Sequence, residues 1–194
     1  LILGDRDEML ASAISAYHMN IINAHIHGGD VSGSIDEYTR HAITKISNIH
    51  FTATQKSKQR VVNLGENPKY VFNTGSPSID EINQGMITDK KTLEKKYNVL
   101  ANRNTIILLQ HPVTTQTNLS KNQILNTIKA LVDLKHPVVA IAPNSDAGHQ
   151  EIFKALRNFS KEHDCVHVYS SLPRSDYLGF LYNCGVLVGN SSSG

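Results

Sequence analysis

The chain has 194 residues, with 19 Lys and Arg against 17 Asp and Glu and a formal net charge of +2 with histidines neutral. That balance, and the lack of any Lys/Arg block, excludes the electrostatic footprint of a nucleic-acid binder. No apolar run approaches the roughly 18 residues that a membrane-spanning helix needs.

Short apolar runs alternate with longer amphipathic ones along the whole sequence. Ile2–Gly4 reads as the end of a strand, and residues 8–19 as a helix with Met9, Leu10, Ala13, Ile14 and Tyr17 at helical spacing. A strand is expected at 21–26 and a helix at 34–47. The helix opens on an S-x-x-E capping box, Ser34 and Glu37, which puts Asp36 in the first turn. A strand at 49–54, a helix at 56–64 and a strand at 70–73 follow, then the break Gly75-Ser76-Pro77.

A second series starts with a helix near Leu93. It continues with strand 105–109, helix 119–134, strand 138–142, helix 150–159, strand 166–169, helix 176–182 and strand 186–189. Continuous apolar strands in repeated βα units predict an α/β protein whose parallel sheets are covered on both faces. The soft stretch from Gly75 to Arg103 suggests a boundary between two Rossmann-like halves, 1–76 and 77–194, with a ligand cleft between them. The sequence opens inside Leu1-Ile2-Leu3 and stops just past Val186-Leu187-Val188, so both ends read as cuts through strand-to-helix units of a longer protein. Cys165 and Cys184 have neither metal nor redox spacing and read as buried thiols of a cytoplasmic protein.

Chemistry-bearing residues collect where strands end, the usual place for ligands on open α/β sheets. Asp5 and Arg6 follow the first strand; a carboxylate can act as a base and a guanidinium can grip a diphosphate, although an Asp–Arg turn pair is the plainer alternative. His25 and His27 alternate along one strand and would share a face. With His111 they could begin a metal site, but no further ligand closes the set, and a hydrogen-bonded histidine of the cleft wall is the alternative. The loop 28–33 is rich in small residues, as close backbone approach requires. Asp36 and Arg40, four apart on one helix face, are either a surface pair or part of the site. In the second series three polar loops follow apolar strands: Gln110-His111-Pro112, residues 143–148 with Asn144, and residues 190–194 with Ser191 and Ser192. The last can present hydroxyls and N–H groups to phosphate.

Several of these runs are specific together: Gly4-Asp5-Arg6, His25-Ile26-x-Gly28-Gly29, Ser32-Gly33-x-Ile35-Asp36, residues 40–45, residues 110–115 and Gly189-Asn190-Ser191-Ser192. Over essentially all 194 residues the chain resembles the hydrolysing UDP-N-acetylglucosamine 2-epimerases of sialic acid precursor pathways. The resemblance implies a glycosyltransferase-B-like fold with UDP held between two Rossmann-like halves, truncated here at both ends. It implies anti elimination of UDP to 2-acetamidoglucal and addition of water to give N-acetylmannosamine, with no metal or other cofactor. It places Asp5, His27, Asp36, Arg40 and His111 in the catalytic set and Arg6, Asn144, Ser191 and Ser192 on the UDP-sugar substrate.

The family pattern has a glutamate where this chain has His27; an imidazole can move protons near neutrality, and Asp30 could supply a carboxylate. A different substrate, such as a UDP-diacetamido-trideoxyhexose, or a non-catalytic UDP-sugar binder is the alternative. A glycosyltransferase of the same fold is the rival enzyme. Relatives also imply a homo-oligomer, and an end-product site near Lys154, Arg157 and Asp80, for which a solvated helix face is the alternative. No nucleic-acid or membrane partner is expected.

Overall fold

The computed structural model describes residues 1–32 and 35–191. The chain divides into two units, Leu1–Gln84 and Gly85–Gly194. No helix among the described residues is long and apolar enough to cross a membrane.

The first unit is a parallel sheet of β1 (Ile2–Leu3), β2 (Ala24–Ile26), β3 (Ile49–Thr52) and β4 (Val71–Asn73), in that order. Between them run α1 (Asp7–His18), α2 (Ile35–Lys45) and α3 (Gln55–Asn63), with α4 (Pro77–Asn83) after β4. Ile2 pairs with His25, His25 with His50 and His50 with Val71, so equivalent positions line up across the sheet. Asp7 and Glu8 occupy the first turn of α1, where negative charge suits the helix dipole. Thr54 caps α3 by accepting from the Ser57 amide at 3.1 Å, a bond typically worth about 1 kcal/mol.

Ile2, Ala13 and Ile43 form the buried core here, with Met9, Leu10 and Ile46 against it. The apolar stripe expected on α1 is only half used: Ile14 and Tyr17 are exposed. The Ser34 half of the expected capping box lies outside the described residues, while Glu37 Oε2 accepts from the Ser32 amide at 3.0 Å. α4 was not expected from the sequence; its Gly75-Ser76-Pro77 start looks like a break, yet Pro at the first helical position has φ already set for a helix.

In the second unit α5 (Lys90–Tyr97) precedes β5 (Ile106–Leu109), followed by α6 (Ser120–Asp133), β6 (Val138–Ile141), α7 (His149–Glu162), β7 (Val166–Tyr169), α8 (Arg174–Asn183) and β8 (Val186–Gly189). The order β7-β6-β5-β8 is wholly parallel. Alternate residues of β5 and β6 serve two cores. Ile106, Leu108, Val138 and Ala140 pack with Ile124, Ile128 and Leu156 of α6 and α7, whereas Ile107, Leu109, Val139 and Ile141 pack with Leu93 and Phe180 of α5 and α8. This two-sided burial is why the strands read as unbroken apolar runs.

Asp176, 3% exposed in the first turn of α8, ties the α5 and α8 side together. It accepts from Thr88 Oγ1 at 2.5 Å, from Lys96 Nζ at 2.6 Å and from the Tyr97 hydroxyl. Burial pushes its carboxyl up, but these three donors outweigh that and hold it below the usual range.

Candidate functional site

The C-terminal ends of β1 to β4 gather the first set of residues. Arg40, on the inward side of α2, is 5% exposed. Its guanidinium donates through Nη2 to the Asp5 carboxylate and to Ser32 Oγ at 3.1 Å, and through Nη1 to the Asp30 carbonyl at 2.6 Å. Asp5 keeps a quarter of its side chain exposed. The structure thus joins Asp5 and Arg40 directly, and gives the buried guanidinium a positioning task.

The expected shared face of His25 and His27 is not observed. β2 stops at Ile26, and His27 turns into the left-handed region at φ 69°, which ends the strand alternation. His25 is fully buried. Its Nε2–H donates to the Gly4 carbonyl at 2.9 Å, so Nδ1 accepts from Thr44 Oγ1 at 3.1 Å. Burial lowers its pKa to about 4, against the opposing pull of the Gly4 bond. With both ring nitrogens committed to the fold, His25 is a structural histidine. Among the described residues no group of three or more His, Cys, Asp or Glu could hold a metal ion.

His27 turns instead toward Asp30, with Nδ1 3.1 Å from Asp30 Oδ2 and Nε2 3.3 Å from Ser76 Oγ. Asp30 Oδ1 accepts from Ser57 Oγ at 2.6 Å. Gly29 makes this possible: at φ 80°, with the Ser57 carbonyl where a Cβ would stand, only glycine lets the loop lie against α3. Asp36 is exposed in the first turn of α2, and Arg6 is the exposed cap residue of α1, 3.3 Å from Glu8.

The second set lies on the other sheet. β5 is flanked by β6 on one side and β8 on the other, although the chain visits β6 and β7 before returning to β8. Ligand crevices form where the chain reverses its direction across a sheet in this way. His111 and Asn190 sit at that point. Asn190 Oδ1 accepts from the His111 amide at 2.7 Å, and Asn190 Nδ2 donates to the His111 carbonyl at 3.1 Å. Gly189 has no room for a Cβ beside the Leu109 carbonyl, so the two loops lie close together. His111 Nδ1 accepts from the Asn144 amide at 3.2 Å, leaving the proton of the neutral ring on Nε2.

Asn144 Nδ2 donates to Asp146 Oδ2 at 2.7 Å, while the buried Asn144 Oδ1 has no partner among the described residues. A crevice of about 400 Å³ opens there, lined by Leu109, Ile141, Pro143, Asn144, Arg174 and Tyr177 among others. That size is in the range of small-molecule sites. Ser191 follows Asn190 on the same edge, and the expected contact Ser192 lies outside the described residues.

Lys154 and Arg157 are exposed on α7, with the Arg157 guanidinium 5.0 Å from the centre of the Phe153 ring, and Asp80 is exposed on α4. The Cys184 thiol is pushed up to about 11 by burial, consistent with an inert core cysteine.

The residues missed in the sequence are Ser57, Ser76 and the pair Arg174 and Tyr177; Asn190 was read only as part of a polar loop, without its tie to His111. Arg174 and Tyr177 had a signal: Leu172-Pro173-Arg174 follows an apolar strand just as the other three loops do. Ser57 and Ser76 had none, since their neighbours become visible only when strands pair.

A sequence model described as UDP-N-acetylglucosamine 2-epimerase matches residues 1–194. The chain is 38% identical over 194 residues to the UDP-N,N'-diacetylbacillosamine 2-epimerase (hydrolyzing) of Legionella pneumophila, covering all of this chain and 51% of that protein. It is 38% identical over 198 residues to Polysialic acid biosynthesis protein P7 of Escherichia coli, covering all of this chain and 50% of that protein. The crystal structure of the Neisseria meningitidis UDP-GlcNAc 2-epimerase bound to UDP-GlcNAc shares the fold, with a TM-score of 0.77 at 19% identity over 98% of this chain and 53% of that one. The chain therefore spans about half the length of the curated relatives it matches. Its two parallel α/β units and its match from end to end place it in the UDP-N-acetylglucosamine 2-epimerase family.

Proposed function

We propose that the protein carrying this chain is a hydrolysing 2-epimerase of a UDP-linked 2-acetamido sugar. The reaction removes the C2 proton while the C1–oxygen bond to UDP breaks, giving a 2-acetamidoglucal. Water then adds, with its hydroxyl on C1 and a proton on C2, to release the free 2-epimer. The observation that carries this reading is the bonded set Asp5, Arg40, Asp30 and His27 at one sheet edge, which gathers proton-transfer groups around a buried cation. Elimination needs such groups and a stabilised leaving group, without redox chemistry.

On this reading Asp5, His27 and Asp36 are the proton-transfer candidates of the first unit, and Arg40 orients Asp5. In the second unit Nε2–H of His111 donates to the sugar diphosphate, and Asn144, Ser191 and Ser192 bind the UDP-sugar. The crevice beside Asn144, with apolar walls and Tyr177, suits a flat base.

Two sugars compete. The family description names UDP-N-acetylglucosamine. The Legionella relative, at 38% identity, is named for UDP-N,N'-diacetylbacillosamine, and that specific likeness favours the diacetamido sugar. The test is proton NMR of the full-length protein with each UDP-sugar in D2O, with and without EDTA. The expected result is a free 2-epimer deuterated at C2, formed at the same rate with EDTA and faster from the diacetamido sugar. A folded, UDP-binding protein that turns over neither sugar would overturn the enzyme reading in favour of a binding role.

A further inference from the structure

His27 and Asp30 are three residues apart in one loop, and a surface pair would explain their contact if nothing else held them. Three further observations do. Asp30 is fixed from other elements: Ser57 of α3, 2% exposed and itself 2.8 Å from Thr54 Oγ1, donates to Oδ1, and Arg40 of α2 holds the Asp30 carbonyl. This leaves Oδ2 directed at His27. The His27 amide donates to the Phe51 carbonyl at 2.9 Å, so its left-handed backbone is anchored as well. Ser76 is the cap residue of α4, yet its hydroxyl makes no capping bond and lies by His27 Nε2 instead.

We propose that Asp30 is a positioning residue for His27, fixing its neutral ring as the Nδ1–H tautomer so that Nε2, beside Ser76, is the proton-transfer atom. A carboxylate only accepts hydrogen bonds, so the ring proton sits on Nδ1 and the lone pair on Nε2. The Ser76 hydroxyl donates to that lone pair at rest. The His27 side chain keeps a quarter of its surface exposed, so the ring is not sealed in the core.

The chemical role rests on the epimerase reading. There Nε2 takes the C2 proton as the C1–oxygen bond breaks and its electron pair leaves with UDP. The resulting imidazolium is stabilised by Asp30 and passes the proton to water. The charged groups collected at this edge from the neighbouring elements are Asp5 after β1, Arg40 on α2 and Arg60 on α3, whose Nη1 donates to the Gly29 carbonyl at 3.1 Å.

The test is nitrogen-15 NMR of the imidazoles in the full-length protein, with the His27 signals assigned from His27→Gln. The expected result is Nδ1–H for His27 in the wild type and a shift toward Nε2–H in Asp30→Asn. The kcat/KM of that variant should fall about 100-fold or more, with unchanged Tm and UDP affinity. Asp30→Glu should restore part of the activity and the Nδ1–H tautomer, and Ser57→Ala should show the same tautomer shift in weaker form.

An Nε2–H tautomer in the wild type, or losses in Asp30→Asn that merely follow its Tm, would overturn the proposal. The tautomer needs no substrate to be read. Nδ1–H without turnover of either UDP-sugar would therefore uphold the pairing and overturn the epimerase reading. Turnover with Nε2–H would do the reverse.

Discussion

The Arg40 guanidinium holds the Asp5 carboxylate with one nitrogen and the Asp30 carbonyl with another. A single buried cation therefore sets the geometry of two loops that follow different strands. Arg40→Met should cost about 3 kcal/mol in urea unfolding, because removing one partner strands the other in a partly dry site. Arg40→Lys should recover only part of this, since a point charge cannot replace the fork. Asp5→Asn keeps the shape, and its turnover should fall about 100-fold or more with UDP affinity intact. Wild-type turnover in Asp5→Asn would remove Asp5 from the chemistry.

His25 gives the fold a definite acid limit. Its pKa falls from 6.5 to about 4 on burial, so the folded chain excludes a proton that the unfolded chain binds. The stability tied to this is whole above pH 6.5 and is lost as the pH drops toward 4, by about 3 kcal/mol in all. Burial lowers His50 and His167 too, which steepens the wild-type profile. Urea unfolding of wild type and His25→Gln between pH 4.5 and 7.5, within the range set by these shifts, isolates the share of His25. Parallel profiles for the two proteins would contradict the assignment.

Asp176 anchors the first turn of α8 to Thr88, Lys96 and Tyr97. Asp176→Ala leaves the Tyr97 and Thr88 hydroxyls without their acceptor, for an expected loss of about 2 kcal/mol. Lys96 adds little to that figure because half of its side chain is in water. The first turn of α8 also carries Arg174 and Tyr177, so UDP should bind more weakly in the variant by calorimetry. Unaltered UDP affinity would separate this crevice from the nucleotide.

Asn190→Ala removes both bonds that tie the loop after β8 to His111. These bonds are exposed, so the melting temperature should reflect a loss below about 1 kcal/mol. The kinetic loss should be larger, because His111 loses its tie to the loop after β8; kcat/KM falling only in proportion to stability would argue against a role for His111.

Most of the architecture was legible because the central strands β5 and β6 of the second unit are apolar over their whole length, as two covered faces demand. α4 was obscured because its Ser-Pro start resembles a turn. Ile14 and Tyr17 fit a helical stripe that the fold leaves half exposed. At the site, Asp5, His111 and Asn144 were readable as polar residues just past strands, and Arg40 by its place four residues after Asp36 on one helix. The partnership of His27 with Asp30 and Ser76 was not, because a strand pattern gives no sign that residue 27 has left the strand. Ser76 reaches His27 from 49 residues away, a contact set by the parallel ladder from β2 to β4.

The left-handed backbone at His27 also limits which amino acids this position can exchange for, before any question of catalysis. At φ 69° the chain tolerates glycine, asparagine and aspartate far better than valine, isoleucine or threonine. A saturation library at position 27 selected only for solubility should already be depleted of the branched side chains. Adding a selection for turnover should then narrow the survivors to those that can also carry a proton. The route by which this position could change its chemistry is set first by a torsion angle.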